Sequence, residues 1–107
     1  MLAGRPHFHI SLAIDISPYC DCHSENDAPI VPDIGMFASF DPVALDTACG
    51  YAATRKTVMP DSLLAERKHC HGDHFTDLTP VTNWRVCVEY AQEMGLGSTE
   101  YELVEIK

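Results

Sequence analysis

The chain has 107 residues, 46% of them hydrophobic and 21% charged, which allows one domain with a real but thin core. Sixteen acids against seven Lys and Arg give a net charge of -9, so the chain lacks the basic footprint that holds nucleic acid or an anionic membrane surface. No apolar run approaches the ~20 residues that span a bilayer, and "MLAGRPHFHISLAIDI", with its single Arg5, does not read as a secretion signal. A soluble, cytoplasmic protein without nucleic-acid or membrane partners is expected.

Phe8, Ile10, Leu12, Ile14 and Ile16 alternate with His9, Ser11, Ala13 and Asp15. That period of two predicts a strand with one buried face. It should stop at Ser17-Pro18, because proline cannot donate to a ladder. Residues 17–33, rich in Ser, Asp, Asn and Pro, read as a long connection, and in a compact domain such a loop is functional or disordered. "DIGMFASF" reads as a short strand buried on both faces, and it runs straight into "DPVALDTACGYAAT". There Asp41 can cap a helix whose first position suits Pro42, with Leu45, Ala48, Cys49 and Ala52 on one apolar face.

"MPDSLLAERKHC" predicts a second helix, capped by Asp61, and "HGDHFTDLTP" a turn. "TNWRVCVEYAQEMG" predicts a third helix with Trp84, Cys87, Val88, Ala91 and Met94 on one side and Gly95 closing its end. Tyr101, Leu103, Val104 and Ile106 suggest a closing strand, although Val104 breaks the alternation. The expected fold is α/β or α+β, a small mixed sheet of about three strands with about three packed helices, in a single domain over residues 1–107.

Five cysteines is a high count for an intracellular domain. Cys20 and Cys22 are too close in sequence to bridge each other comfortably, and a disulfide framework wants an even count and a secretory setting. Soft ligands fall in two clusters: Cys20, Cys22 and His23, and then "HCHGDH" with His69, Cys70, His71 and His74. Side chains two apart in extended backbone share a side, so Cys20 and Cys22 can chelate one zinc or iron ion. His71, followed by Gly72, is the candidate from the second cluster; the others fit a histidine-rich turn at a helix end. Burial of Cys20 and Cys22 as small hydrophobes at a tight turn stays open beside metal binding. Cys49, Cys87 and Trp84 are expected in the core, and His7 and His9 on an exposed polar side.

The acids Asp21, Asp27, Asp33, Asp41 and Asp46 fall near predicted strand ends and could line one crevice, holding a hard cation or acting as acid and base. Asp41 is better explained as a helix cap, while Asp27 and Asp33 sit near prolines in turns. No Gly-rich phosphate loop, nucleophile elbow or Ser-His-Asp order is visible, so no catalytic residue is assigned.

"CDC", "SENDAPIVPDIG", "ASFDPVALD" and "WRVCVEYAQEMGLGSTEYEL", in that order from Phe8 to Ile106, resemble the C-terminal part of the uncharacterised iron–sulfur-centre proteins grouped as domain-of-unknown-function family 362. Family members are typically much longer, and many carry C-x-x-C-x-x-C cysteines for a [4Fe–4S] cluster. This chain has no C-x-x-C, so its own cysteines do not supply such a cluster in the usual manner. The resemblance implies a fragment or truncated form of a larger fold, with Cys20 and Cys22 as the family's C-x-C. It also implies a cofactor-binding part for the acids of "VPDIG" and "DPVALD": Asp33, Asp41 and Asp46.

Three readings follow. The first is an accessory, redox-associated metal-binding domain using Cys20, Cys22 and His71, with a ferredoxin-like partner domain. The second is half of an enzyme site, acids plus thiols, completed by a further N-terminal region in a concave pocket bordered by Asp21, Asp33 and Asp41. The third is a structural module that pairs with itself as a homo-oligomer.

Overall fold

The computed structural model describes residues 2, 4–67, 69 and 72–106. Two strands and three helices are present among them: β1 (His9–Ala13), β2 (Gly35–Ser39), α1 (Pro42–Arg55), α2 (His74–Leu78) and α3 (Trp84–Glu93). The mixed α/β class is as expected, with a sheet one strand smaller. β1 and β2 pair antiparallel, with His9 opposite Ser39, Ser11 opposite Phe37 and Ala13 opposite Gly35.

The sheet buries the face opposite to the one its polarity predicts. Cross-strand partners point to the same side, which puts Ile10 with Ala38 and Leu12 with Met36. That apolar side is open: Ile10 is 60% exposed, Leu12 62%, Met36 69% and Phe40 73%. His9, Ser11 and Ala13 form the more buried side, and Ser11 meets the Cys49 thiol of α1. β2 is thus half-buried rather than enclosed on both faces. At one end of the open side the rings of Phe8 and Phe40 meet edge to face at 5.0 Å.

Helix α1 starts as expected. Asp41 Oδ1 accepts the Val43 and Ala44 amides at 2.9 and 3.0 Å, and Pro42 fills the first turn. Helix α3 also follows its prediction, capped by Asn83 and released by Gly95, whose φ of 76° suits a residue without a Cβ.

The stretch expected as a second helix is instead a run of turns. Ser62, Ala65, Glu66 and Arg67 each donate their amide three residues back rather than four. Asp61 has φ 63°, so it cannot take the extended backbone of a cap. Ser62 does the local work: its hydroxyl donates to the Met59 carbonyl at 2.6 Å and accepts the Ala65 amide at 3.3 Å. The short α2 stands where a turn was expected, because Asp73 accepts both the Thr76 amide and its hydroxyl, at 2.8 and 2.9 Å. The closing strand is absent: residues 101–106 are exposed and irregular, with Val104 and Glu105 spoiling the period of two.

One core cluster joins Ile30, Val31 and Leu64, flanked by Ile16, Val58 and Leu78, so the long connection is pinned to the turn segment rather than free. Trp84 is half-buried between α1 and α2, with Tyr51 and Phe75 ring centres at 5.3 and 5.5 Å. Cys49 is only half-buried and Cys87 is exposed, so neither is the core residue expected.

Gly50 admits Trp84 against α1. A Cβ there would lie 2.6 Å from Trp84 Cζ3 and 2.7 Å from Cη2, closer than real contacts allow. Helix propensity alone favours Gly→Ala by up to ~1 kcal/mol, but overpacking costs about 1–3 kcal/mol. Gly50→Ala is therefore expected to lower the urea midpoint followed by Trp84 fluorescence; a raised midpoint would show that the ring relaxes freely.

Candidate functional site

The connection between β1 and β2 is zipped at its base. Ile34 donates to the Ala13 carbonyl and Ile30 to the Ile16 carbonyl, both at 2.8 Å. Asp15, at φ 48°, donates its amide to Asp33 Oδ1 at 2.9 Å. Asn26 braces the middle: Nδ2 donates to Ser17 Oγ and the Tyr19 carbonyl, and Oδ1 accepts the Tyr19 and Asp27 amides. At the tip, His23 donates its amide to the Cys20 carbonyl at 3.0 Å and stacks its ring on Tyr19 at 4.5 Å.

That turn brings Cys20 and Cys22 together, with Cα atoms 5.4 Å apart and the two sulfurs bonded. Their closeness in sequence argues against a comfortable bridge, yet the tip curls instead of running extended and brings the two sulfurs together. Both residues are exposed, so burial as small hydrophobes is not their role. Joined, the pair offers no thiolate; reduced by two electrons, it presents two adjacent thiols.

The acids take separate positions. Asp33 closes the loop base and Asp27 accepts the amide of Ala28 at 2.7 Å. Asp41 caps α1, and its Oδ2 accepts the Ser98 amide at 2.9 Å. Asp46 is exposed on α1, at the rim of an open hollow of about 390 Å³ shared with Leu12, Cys49, Trp84 and Cys87. A second hollow, about 250 Å³, is bounded by Ile16, Ile30, Phe75 and Trp84. Neither is lined by Asp21, Asp33 or Asp41.

His71 and Cys70 lie outside the described residues. Among those described, one group of three ligand-type side chains has donor atoms all within 4.8 Å of one another: His69, His74 and Asp77. Sequence reasoning put His69 and His74 in a turn and overlooked Asp77. The signal was the spacing of His74 and Asp77, which falls on one helix face once "HFTDL" is seen as helical.

The described cysteines fall in two separate places. Cys20 and Cys22 sit on the loop, whereas Cys49 and Cys87 border the hollow beneath α1. Burial pushes the Cys49 thiol above its ordinary value; the hydrogen bond with Ser11 works against this and the Asp46 charge adds to it. A raised value leaves less thiolate at a given pH. Timed alkylation at pH 8, mapped by peptide mass spectrometry, should modify exposed Cys87 well before Cys49; the reverse order would contradict this assignment.

Fold and loop together define a small mixed α/β domain with an exposed Cys-x-Cys turn. Residues 1–50 match the family model described as Domain of unknown function (DUF362), so the resemblance to that family holds over this part of the chain. No curated protein and no solved structure matches the chain. No helix among the described residues is long and apolar enough to cross a membrane.

Proposed function

We propose that the chain is an accessory metal-binding domain of a redox-associated protein, acting through the Cys20-Asp21-Cys22-His23 loop. The observation that supports this best is the meeting of two exposed sulfurs at a turn held by Asn26 and the His23 amide. In the reducing cytoplasm, where we place the protein, such a pair stands as a dithiol. Two thiolates on one side of a turn chelate a borderline or soft ion, zinc or iron, and leave coordination positions for His71 or for a ferredoxin-like partner. Reduced, untagged protein purified anaerobically should give a thiolate-to-metal charge-transfer band with Co²⁺. Cys20→Ser/Cys22→Ser should lose that band; an equal band in the double variant ends the proposal.

A second reading, self-association, is favoured by the open apolar side of the sheet. Phe8, Ile10, Leu12, Met36 and Phe40 are each more than half exposed along that side, the kind of contiguous apolar patch that marks an interface. The side chains of that face carry no charge, so two copies can meet there despite the net charge of -9. Sedimentation equilibrium should show a concentration-dependent dimer, and Leu12→Lys, at an exposed position, should return it to monomer. A wild-type chain that stays monomeric at the highest concentration removes this reading.

A further inference from the structure

We infer that the chain holds a second, thiol-free cation site built from His69, His74 and Asp77. It is independent of the Cys20–Cys22 loop. Asp73 starts α2 by accepting the Thr76 amide, which fixes His74 in the first turn and Asp77 three residues on, along the same face. His69 approaches from the preceding segment. One ligand atom from each residue lies within 4.8 Å of the others.

Two details suit a ligand set as well as an ion pair. The first is the tautomer of His74. Its Nε2 lies 2.7 Å from the Lys56 carbonyl oxygen, and a carbonyl can only accept, so Nε2 carries the hydrogen and, in the neutral ring, Nδ1 is the nitrogen with a lone pair. An imidazole that donates its far nitrogen to a backbone carbonyl is the usual support of a metal-bound histidine. The second is spacing. His69 Nδ1 and Asp77 Oδ2 are 3.7 Å apart, too long for a hydrogen bond. Ligands held at 2.0–2.1 Å by a tetrahedral zinc stand roughly 3.3 Å apart, so this pair, and the group of three within 4.8 Å, draws together on binding.

The surroundings are compatible with a cation. Asp77 is 4% exposed, which removes competing water from one side. Lys56 turns its backbone oxygen toward His74, and Arg85 is directed to Asp73, with its Nη1 3.7 Å from Oδ2. Two imidazoles and one carboxylate suit a borderline divalent ion such as Zn²⁺, Co²⁺ or Fe²⁺ and leave at least one coordination position open.

The test uses the full, untagged chain carrying Cys20→Ser/Cys22→Ser, so that loss of the loop site cannot be mistaken for loss of this one. Co²⁺ titration should show binding of one equivalent without a thiolate charge-transfer band. His69→Gln and Asp77→Asn, each added to that background, should weaken binding by at least about tenfold, the lower range for disturbing even a supporting group. His69 is 42% exposed in its side chain, so His69→Gln carries the test should Asp77→Asn fail to fold. Absence of binding, a thiolate band in this background, or unchanged affinity in His69→Gln overturns the assignment.

Discussion

The arrangement depends on one carboxylate. Asp41 sits where β2 gives way to α1, and its own amide donates to Ser39 Oγ at 3.0 Å. One oxygen holds the first free amides of α1, and the other holds the Ser98 amide, 57 residues later. The start of α1 and the segment that leaves α3 are therefore fixed to the same group. Gly97 lets that segment approach, because a Cβ there would run into the Asp41 carboxylate. Hydrogen bonds to a charged acceptor contribute about 1.5–3 kcal/mol each, a large share of the ~5–15 kcal/mol that stabilises a small domain. An acid that the family resemblance suggests for cofactor binding thus has both oxygens engaged in holding layers together.

What the sequence shows best is whatever neighbouring residues decide. Asp41-Pro42 marks the start of α1 and Gly95 the end of α3, because caps act within a turn of the chain. The two strands are legible for the same reason. The face that each strand buries is a different matter: alternation shows that two sides differ, while tertiary packing decides which is covered. Here α1 lies against the side made of His9, Ser11 and Ala13, where its Cys49 meets Ser11. The Asp61 segment misleads because its apolar residues have helical spacing, yet Leu64 is drawn into the Ile30–Val31 cluster through three-residue turns. The short α2 escapes because one Asp–Thr cap starts it, without a long periodic pattern.

The candidate sites divide along the same line. Cys20, Cys22 and His23 can be picked out as a group, since they are adjacent, but the turn that joins the sulfurs depends on Asn26, which reads only as a loop residue. His69, His74 and Asp77 come together only once α2 exists and the Lys56 carbonyl orients His74. The acids show the opposite failure: close spacing along predicted strand ends suggests a crevice, and backbone amides claim Asp27, Asp33 and Asp41 instead.

The open side of the sheet connects these observations. Phe8, Ile10, Leu12, Met36 and Phe40 each stay more than half exposed there, apolar surface whose burial would stabilise the two strands. Nothing among the described residues packs over it, and a strand pattern this regular has little purpose if its apolar side stays wet. The Cys20–Cys22 loop leaves from the end of β1 and returns into β2, so its base and the apolar side belong to the same two strands. The proposed metal loop and the proposed association surface are thus carried by the same two strands, so a change in the β1–β2 register would disturb both.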